Sequence, residues 1–254
     1  MECRAAAVWS LSWALIVGGV AYLLRQTQSH TPYGRYRPAA GRCRPARLAW
    51  FLQEVPAFLL PLLLLLVTGE TTGRTLLLSA FMLHYFHRSL VYAPLTRGRP
   101  VPLPIVLAAA IFCSLNGFLQ AHQLLHCAGP RGRGPGALLG AGRLAAGLLL
   151  FVVGMVINIH SDHILRGLRR PGETAYRIPH GTGGMFEFVS GANFLGEILE
   201  WTGFALASWS LPATAFAFFT ECSIGPRAYQ HHRDYQQRFK DYPRSRKALL
   251  PFIL

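Results

Sequence analysis

Long apolar runs alternate with short polar and basic segments along the chain. A bilayer core of roughly 30 Å requires about 20 apolar residues in a helix, and seven runs reach this length. The pattern predicts an all-α membrane protein, a single domain over 1–254, with seven transmembrane helices. They lie near 5–24, 48–68, 75–95, 101–127, 144–165, 190–208 and 211–230.

The last two runs and the first run each allow a second interpretation. Only a short turn before Pro212 separates the last two runs, so one long span over 190–230 is the alternative interpretation. The first run is longer than the apolar core of a cleaved signal peptide, and we expect it to be retained as the first span.

The composition agrees with a membrane protein. Hydrophobic residues make up 52% of the 254 residues and charged residues only 14%, against about 25% charged residues in average soluble domains. The net charge is +14. In a soluble chain this excess would indicate nucleic acid as a partner, whereas in a membrane chain it usually marks cytoplasmic loops. We therefore expect membrane lipid, and no nucleic acid, as a partner.

The distribution of basic residues predicts the orientation in the membrane. Nineteen of the 25 Lys and Arg residues lie in 25–47, 96–100, 166–189 and 227–254, and five lie in the remaining loops and ends. By the positive-inside rule the first group faces the cytosol. Seven spans then place the N-terminus outside the cytosol and the C-terminus in it.

Polar side chains inside the predicted spans lie in their cytoplasmic halves. Ionisable groups cost about 2.5–3.5 kcal/mol each at the centre of a span, so they tend to face a cavity. Glu54 is about 9 Å deep at the helical rise, and similar stripes lie on four other spans. They comprise His84, Tyr85, His87, Arg88 and Tyr92; Asn158 and Asp162; Asn193, Glu197 and Trp201; and Arg227, His231 and Tyr235. We infer one cavity open to the cytosol. The alternative for Asn158 and Asn193 is a purely structural interhelical hydrogen bond.

Membrane di-iron desaturases bind their metal through clustered histidines, so the histidine pairs of this chain raise the hypothesis of a metal site. The pairs are His122 and His126, His160 and His163, and His231 and His232. Metal ligands must converge, but the predicted topology puts the first pair about a membrane thickness from the others. We therefore expect no metal site.

The five cysteines are odd in number and show no C-x-x-C spacing, so we expect free thiols.

The usual dinucleotide motifs are absent, since no G-x-G-x-x-G follows a strand and no Walker lysine occurs. Arginines on the predicted cytoplasmic loops offer a different anion site, because the guanidinium fork matches phosphate geometry. They are Arg35, Arg37, Arg97, Arg99, Arg169, Arg170 and Arg177.

Six sequence blocks closely resemble the steroid 5α-reductase family. They are 50–54 (WFLQE), 83–88 (LHYFHR), 158–162 (NIHSD), 171–179 (PGETAYRIP), 189–197 (VSGANFLGE) and 242–252 (YPRSRKALLPF). The resemblance implies a seven-helix enzyme of the endoplasmic reticulum, with its N-terminus lumenal, that uses NADPH to reduce the Δ4 double bond of 3-oxo steroids such as testosterone or progesterone. A lipid enoyl reductase is the nearest enzymatic alternative. A receptor or a transporter is another class, but the broken helices in two repeats that transporters often show are absent.

The resemblance also implies site residues. Glu54 and Tyr85 correspond to the pair that holds the 3-keto oxygen, where Glu54 donates only in its protonated form. Residues at positions where the family binds NADPH, or that support it, are Tyr33, Tyr92, Arg99, Asn158, Asp162, Arg169, Tyr176, Arg177, Asn193, Glu197, Arg227, His231 and Tyr235. We expect Trp50, Phe112 and Trp201 to pack on the steroid rings.

Overall fold

The computed structural model describes residues 2–32, 34–36, 41–69, 74–128, 136–168, 177–179 and 183–254. Within these ranges each of the seven predicted segments is helical, which confirms the prediction of a mostly helical chain. The helices are α1 (Ala5–Gln28), α2 (Ala46–Thr68), α3 (Thr75–Phe86), α4 (Leu103–His122), α5 (Gly136–Gly167), α6 (Ala192–Ser208) and α7 (Leu211–Arg238).

Helices α3 and α4 both continue as π-helix, which the hydropathy pattern does not predict. The first π-helical stretch is His87–Tyr92, followed by a short α-helical turn, Ala93–Leu95, and the second is Gln123–Cys127. Such stretches are rare and frequently lie at functional sites. The described residues also form two 3-10 turns, Gly34–Tyr36 and Gly184–Glu187, and the antiparallel pair β1 (Cys43–Arg44) and β2 (Val101–Pro102).

Four helical segments of the described residues are long and apolar enough to cross a membrane. They are Ala5–Gln28, Ala46–Thr68, Leu103–Cys127 and Leu138–Gly167. Helix α2 exposes an apolar stripe of Leu59, Leu63, Leu66 and Val67, as a lipid-facing helix does. Helix α6 has only 17 residues, or about 25 Å. That all seven helices cross the membrane stays a prediction.

The chain breaks between α6 and α7, so the alternative of one long helix over 190–230 is wrong. Trp209 adopts a positive φ of 50°, a conformation that is uncommon for a bulky residue. The Arg143 guanidinium lies 4.4 Å from the centre of the Trp209 ring. Helix α7 then begins at Leu211, with Pro212 in its first turn, where a missing backbone N–H breaks no helical hydrogen bond.

The structure divides into two compact units. Unit 1 comprises Met1–Leu15, Thr31–Arg143 and Ser208–Phe216, and unit 2 comprises Ile16–His30, Leu144–Ala207 and Ala217–Leu254. In unit 1 helices α2 and α4 pack closely at Gly117, where an added Cβ would lie 3.0 Å from Ala57 Cα. That the chain forms a single domain over 1–254 stays a prediction.

In unit 2 helices α5 and α6 meet along glycines spaced seven residues apart on each helix. These are Gly147 and Gly154 on α5, and Gly196 and Gly203 on α6. A Cβ at Gly154 would lie 2.6 Å from the Gly196 carbonyl oxygen, and one at Gly203 would lie 2.6 Å from that of Gly147. Small residues allow helix backbones to approach this closely within a membrane.

A disulfide joins Cys3 to Cys127 in unit 1, with the two Cα atoms 4.9 Å apart. The expectation of five free thiols is therefore wrong for this pair and right for Cys43, Cys113 and Cys222. The two cysteines are 124 residues apart in the sequence and meet because the segment before α1 lies against the end of α4. Sequence spacing carries no information about such a contact.

Candidate functional site

The two predicted catalytic residues, both in unit 1, reach the same turn of α4. Glu54 lies on α2, with Oε2 3.8 Å from the Cys113 sulfur and Oε1 3.5 Å from Gln53 Nε2. The Tyr85 hydroxyl oxygen accepts a hydrogen bond from Asn116 Nδ2 at 3.4 Å. Residues 113 and 116 are neighbours on one face of the helix, so α4 holds both polar groups within one turn.

The Tyr85 ring is almost completely enclosed, being 3% exposed. It packs against Phe81, with ring centres 4.8 Å apart, and against His84 at 5.0 Å. An apolar enclosure strengthens any hydrogen bond that the hydroxyl makes, because water does not compete for it. Phe112, a predicted steroid contact, lies 6.0 Å from the Phe216 ring.

Trp50, Arg88 and Tyr92 form a cation–π group at the π-helical end of α3. The Arg88 guanidinium carbon lies 4.6 Å from the Trp50 ring centre and 4.3 Å from that of Tyr92. Trp50 and Tyr92 meet edge to face at 5.1 Å. Arg88 belongs to one of the predicted polar stripes but is not among the predicted site residues. Arg99 is exposed in the loop before β2.

In unit 2 the predicted cofactor residues of α5 and α6 come together at the glycine contact. Asn158 Nδ2 donates to the Asn193 carbonyl oxygen at 2.9 Å, so Asn158 makes the interhelical hydrogen bond considered above. Asp162 lies one turn further along α5 and is 4% exposed. Glu197 follows Asn193 by one turn on α6, adjacent to Gly196, which packs against the Asn158 backbone.

The predicted residues of α7 stack in a row with one side chain of α6. We call this row, which comprises Arg227, Phe194, His231 and Tyr235, the ladder. The Arg227 guanidinium carbon lies 5.3 Å from the Phe194 ring centre. The Phe194 ring stacks on His231 at 5.7 Å, and His231 stacks on Tyr235 at 6.3 Å. The spacing of four residues predicted that Arg227, His231 and Tyr235 share one face of the helix. It did not reveal Phe194, because that ring belongs to α6.

The other predicted residues are a buried tryptophan, an exposed arginine and three residues beyond the described ranges. Trp201 is 1% exposed and packs against Phe151 at 6.2 Å and Phe204 at 6.0 Å. Arg177 is exposed in the short described segment 177–179. Tyr33, Arg169 and Tyr176 lie outside the described residues.

The tail segment 239–254 docks beside the ladder. Its backbone pairs with 188–191 through Lys247 N to Phe188 O at 2.9 Å and Gly191 N to Ala248 O at 3.0 Å. The Arg246 side chain, 2% exposed, donates to the Pro179 carbonyl oxygen at 2.7 Å and lies 3.7 Å from Glu187. The tail therefore fixes the segment that leads into α6.

A buried hydrogen-bond network links this tail to α7. Ser190 Oγ lies 2.7 Å from His232 Nδ1 and 2.6 Å from the Tyr242 hydroxyl. Burial, with the nearby charges of Lys247 and Arg246, lowers the pKa of His232 below its ordinary value. Burial likewise raises the pKa of Tyr242. The tail is part of the family resemblance, but Ser190, His232 and Tyr242 are not among the predicted site residues.

The paired histidines are not arranged as metal ligands. Among the described residues, no group of three or more His, Cys, Asp or Glu side chains is placed to hold a metal ion. His122 instead accepts a hydrogen bond at Nε2 from the Arg4 backbone N–H at 3.0 Å, next to the disulfide. Its ring lies 4.9 Å from that of His126.

Comparison with known proteins identifies relatives over the whole chain. A family model described as 3-oxo-5-alpha-steroid 4-dehydrogenase matches residues 99–254. The chain is 50% identical to 3-oxo-5-alpha-steroid 4-dehydrogenase 2 of Homo sapiens, over 100% of this chain and 99% of the relative. It is 53% identical to the type 2 protein of Sus scrofa, over 87% of each chain. It is 44% identical to the type 1 protein of Homo sapiens, over 96% of this chain and 94% of the relative. The resemblance noted from the sequence is confirmed.

Proposed function

The chain belongs to the 3-oxo-5-alpha-steroid 4-dehydrogenase family and is an oxidoreductase, and from this premise we propose that it reduces the Δ4 double bond of 3-oxo-Δ4 steroids with NADPH. The substrates are testosterone, progesterone or related steroids. The product is the corresponding 5α-dihydrosteroid.

The chemistry of an enone determines what the protein must supply. Hydride adds to C5, the C4–C5 π electrons form an enolate whose negative charge lies on the 3-oxygen, and a proton then adds to C4. The enolate oxygen needs hydrogen-bond donors in a dry environment. In our proposal the Tyr85 hydroxyl and protonated Glu54 supply them.

One observation carries this assignment: Glu54 and Tyr85 both contact the Cys113 to Asn116 turn of α4. Two polar groups that come from different helices and meet at one turn suit the recognition of a single carbonyl oxygen. The aromatic rings of unit 1 suit an apolar steroid body, and we propose that Trp50 and Phe112 contact it. Trp201 stays a predicted contact.

The residue chemistry of unit 2 fits a dinucleotide phosphate. Arg227 and Arg177 supply cations for phosphate, Asp162 and Glu197 supply acceptors for ribose hydroxyls, and the His231 ring supplies a stacking face. When bound, NADPH supplies the hydride. We propose that these residues bind it together with Asn158, Asn193, Tyr235, Tyr33, Arg169, Tyr176, Tyr92 and Arg99.

We further propose an endoplasmic reticulum location with the N-terminus lumenal. The positive-inside rule assigns the segment before α1 and the end of α4 to the lumenal side. The Cys3 to Cys127 disulfide joins those two segments, and disulfides persist in oxidising compartments such as this lumen. The bond therefore supports the orientation independently of the charge distribution.

Microsomes from cells that express the chain provide the test. With NADPH and a panel of radiolabelled testosterone, progesterone and an apolar 2-enoyl thioester, we expect 5α-reduced steroids and no reduction of the thioester. Microsomes from cells that do not express the chain are the control for background reductases. Reduction of the thioester alone would replace this proposal with a lipid enoyl reductase, and no reduction of any substrate would contradict both.

A further inference from the structure

A chain of polar side chains in unit 1 leads from the first turn of α7 to the Tyr85 hydroxyl. Gln120 Nε2 donates to the Pro212 carbonyl oxygen at 3.0 Å and to Asn116 Oδ1 at 3.0 Å. Asn116 Nδ2 in turn donates to the Tyr85 hydroxyl oxygen at 3.4 Å. Asn116 and Gln120 are 0% and 1% exposed. The hydropathy pattern placed both in a span but gave no reason to select them.

The direction of each of these three hydrogen bonds follows from the first acceptor, the Pro212 carbonyl oxygen. A backbone carbonyl only accepts, so Gln120 must present its NH₂ group to Pro212. The same NH₂ group also donates to Asn116, so Asn116 must accept through its side-chain carbonyl oxygen. The other end of the Asn116 amide is then its NH₂ group, and the Tyr85 oxygen can only accept from it. No reversal of either amide satisfies all three contacts.

This direction matters for the hydrogen of Tyr85. A phenol both donates and accepts, and a neighbouring acceptor would draw its hydrogen into the protein. Asn116 contacts the hydroxyl oxygen as a donor, so the hydrogen of Tyr85 points away from Asn116. Hydrogen bonds in a buried chain also polarise one another, which makes a hydroxyl that accepts one a better donor.

We propose that Asn116 and Gln120 are positioning residues that hold the Tyr85 hydroxyl as a donor toward the steroid 3-oxygen. The inference rests on the proposed function, in which Tyr85 stabilises the enolate. Asn116 and Gln120 do not themselves contact the substrate in the proposed complex. Both act through Tyr85, and this dependence makes the inference testable.

The decisive variant is Asn116→Asp, which keeps the shape of the side chain. An aspartate still accepts from Gln120 but also presents an acceptor to Tyr85, so the phenol hydrogen turns toward position 116. Loss of one preorganised donor typically lowers kcat by about 10²–10³, and we expect a fall of this size in both Asn116→Asp and Tyr85→Phe. The NADPH constant should stay within about twofold of the wild-type value, since its proposed ligands remain in place.

A double-mutant cycle separates positioning from a general structural role. In the Tyr85→Phe background, Asn116→Asp should lower kcat no further, because its effect passes through a hydroxyl that is already absent. Asn116→Leu is the uncharged second variant, for which we expect about a tenfold loss in kcat with Tyr85 present and none in the Tyr85→Phe background. Ser114→Ala is the matched control on α4, since the Ser114 hydroxyl bonds to the Ala110 carbonyl of its own helix.

The outcomes are distinguishable. Independent, multiplicative losses in the double mutant, or a wild-type kcat in both Asn116 variants, would overturn the positioning role and leave the function of Tyr85 intact. A wild-type kcat in Tyr85→Phe would remove the proposed role of Tyr85 and this inference with it. Retention of the NADPH constant shows that a variant is folded, so Asn116→Leu decides the matter if Asn116→Asp does not accumulate.

Discussion

Glu54 differs from Tyr85 because a carboxyl group donates a hydrogen bond only when it is protonated, whereas a phenol carries its hydrogen at neutral pH. Glutamine has nearly the same shape and offers an N–H in place of the carboxylic acid O–H, whereas alanine offers no donor. We predict that Glu54→Gln retains more steroid reductase activity than Glu54→Ala, in which loss of one donor should lower kcat about 10²–10³-fold. Single-turnover assays in membranes provide the measurement. Equal activity of wild type and Glu54→Ala would contradict the assignment.

Arg177 tests the proposed phosphate contacts among the described residues. A charge-assisted hydrogen bond contributes roughly 1.5–3 kcal/mol, so Arg177→Ala should raise the apparent NADPH constant about ten- to a hundredfold. The steroid constant should change much less. Arg238→Ala is the matched control, because that arginine is exposed and pairs with Asp234 at 2.8 Å. An unchanged NADPH constant in Arg177→Ala would refute its placement.

His232 predicts how the stability of the docked tail depends on pH. Its pKa in the folded protein is lowered, so the unfolded chain binds the extra proton more readily. The free energy of unfolding should therefore fall as pH decreases through the ordinary histidine pKa of about 6.5. Thermal unfolding of the purified protein between pH 8 and pH 5 should show this loss, and His232→Gln should reduce the slope. A slope unchanged in that variant would assign the effect to other groups.

At the level of elements, hydropathy located the helices α1 to α7 but not how they meet. Apolar runs located the seven segments because lipid-facing and core-facing side chains are both apolar. The stacking of Phe194 on His231, the docking of the tail and the pairing of Cys3 with Cys127 each depend on residues far apart in the sequence. Local patterns do not encode such contacts. The i, i+4 spacing did predict which polar residues share a helix face, which is why Arg227, His231 and Tyr235 were predicted as a group.

The close contact of α5 and α6 gives a prediction at this scale. An added Cβ at Gly196 would lie 2.8 Å from the Gly154 carbonyl oxygen and 2.9 Å from Asn158 Cα, so the helices must separate. We predict that Gly196→Ala lowers stability by about 1–3 kcal/mol, the usual cost of overpacking, and raises the NADPH constant because Asn158 and Asn193 move apart.

Gly140→Ala is the matched control for that experiment. Gly140 lies on α5, where no atom of the described residues comes within 4 Å of an added Cβ, and alanine favours a helix over glycine by roughly 0.5–1 kcal/mol. Thermal unfolding should show a neutral or slightly stabilising effect at Gly140 and a loss at Gly196. Equal effects at the two positions would mean that helix propensity, and not packing, determines the response.

For the whole molecule, the orientation in the membrane decides whether NADPH can reach its proposed site from the cytosol. The segment 25–47 carries six arginines and no acidic residue, whereas the segment at the end of α4 was assigned to the lumen by the count of spans. The disulfide adds a chemical argument for that assignment, since the cytosol keeps thiols reduced. Cys43 and Cys127 report on the two sides.

Labelling with a membrane-impermeant maleimide tests this orientation in sealed, right-side-out microsomes. With Cys113 and Cys222 replaced by alanine, we predict that Cys43 reacts without detergent when no NADPH is present. Cys127 should react only after both detergent and a reductant, because it is lumenal and bonded to Cys3. In a Cys3→Ser variant, detergent alone should expose Cys127, which separates the effect of the bilayer from that of the disulfide. The reverse pattern, with Cys127 open to the cytosol and Cys43 protected, would place Asp162, Glu197 and Arg227 on the lumenal side, away from cytosolic NADPH, and the reductase proposed here would have to be abandoned.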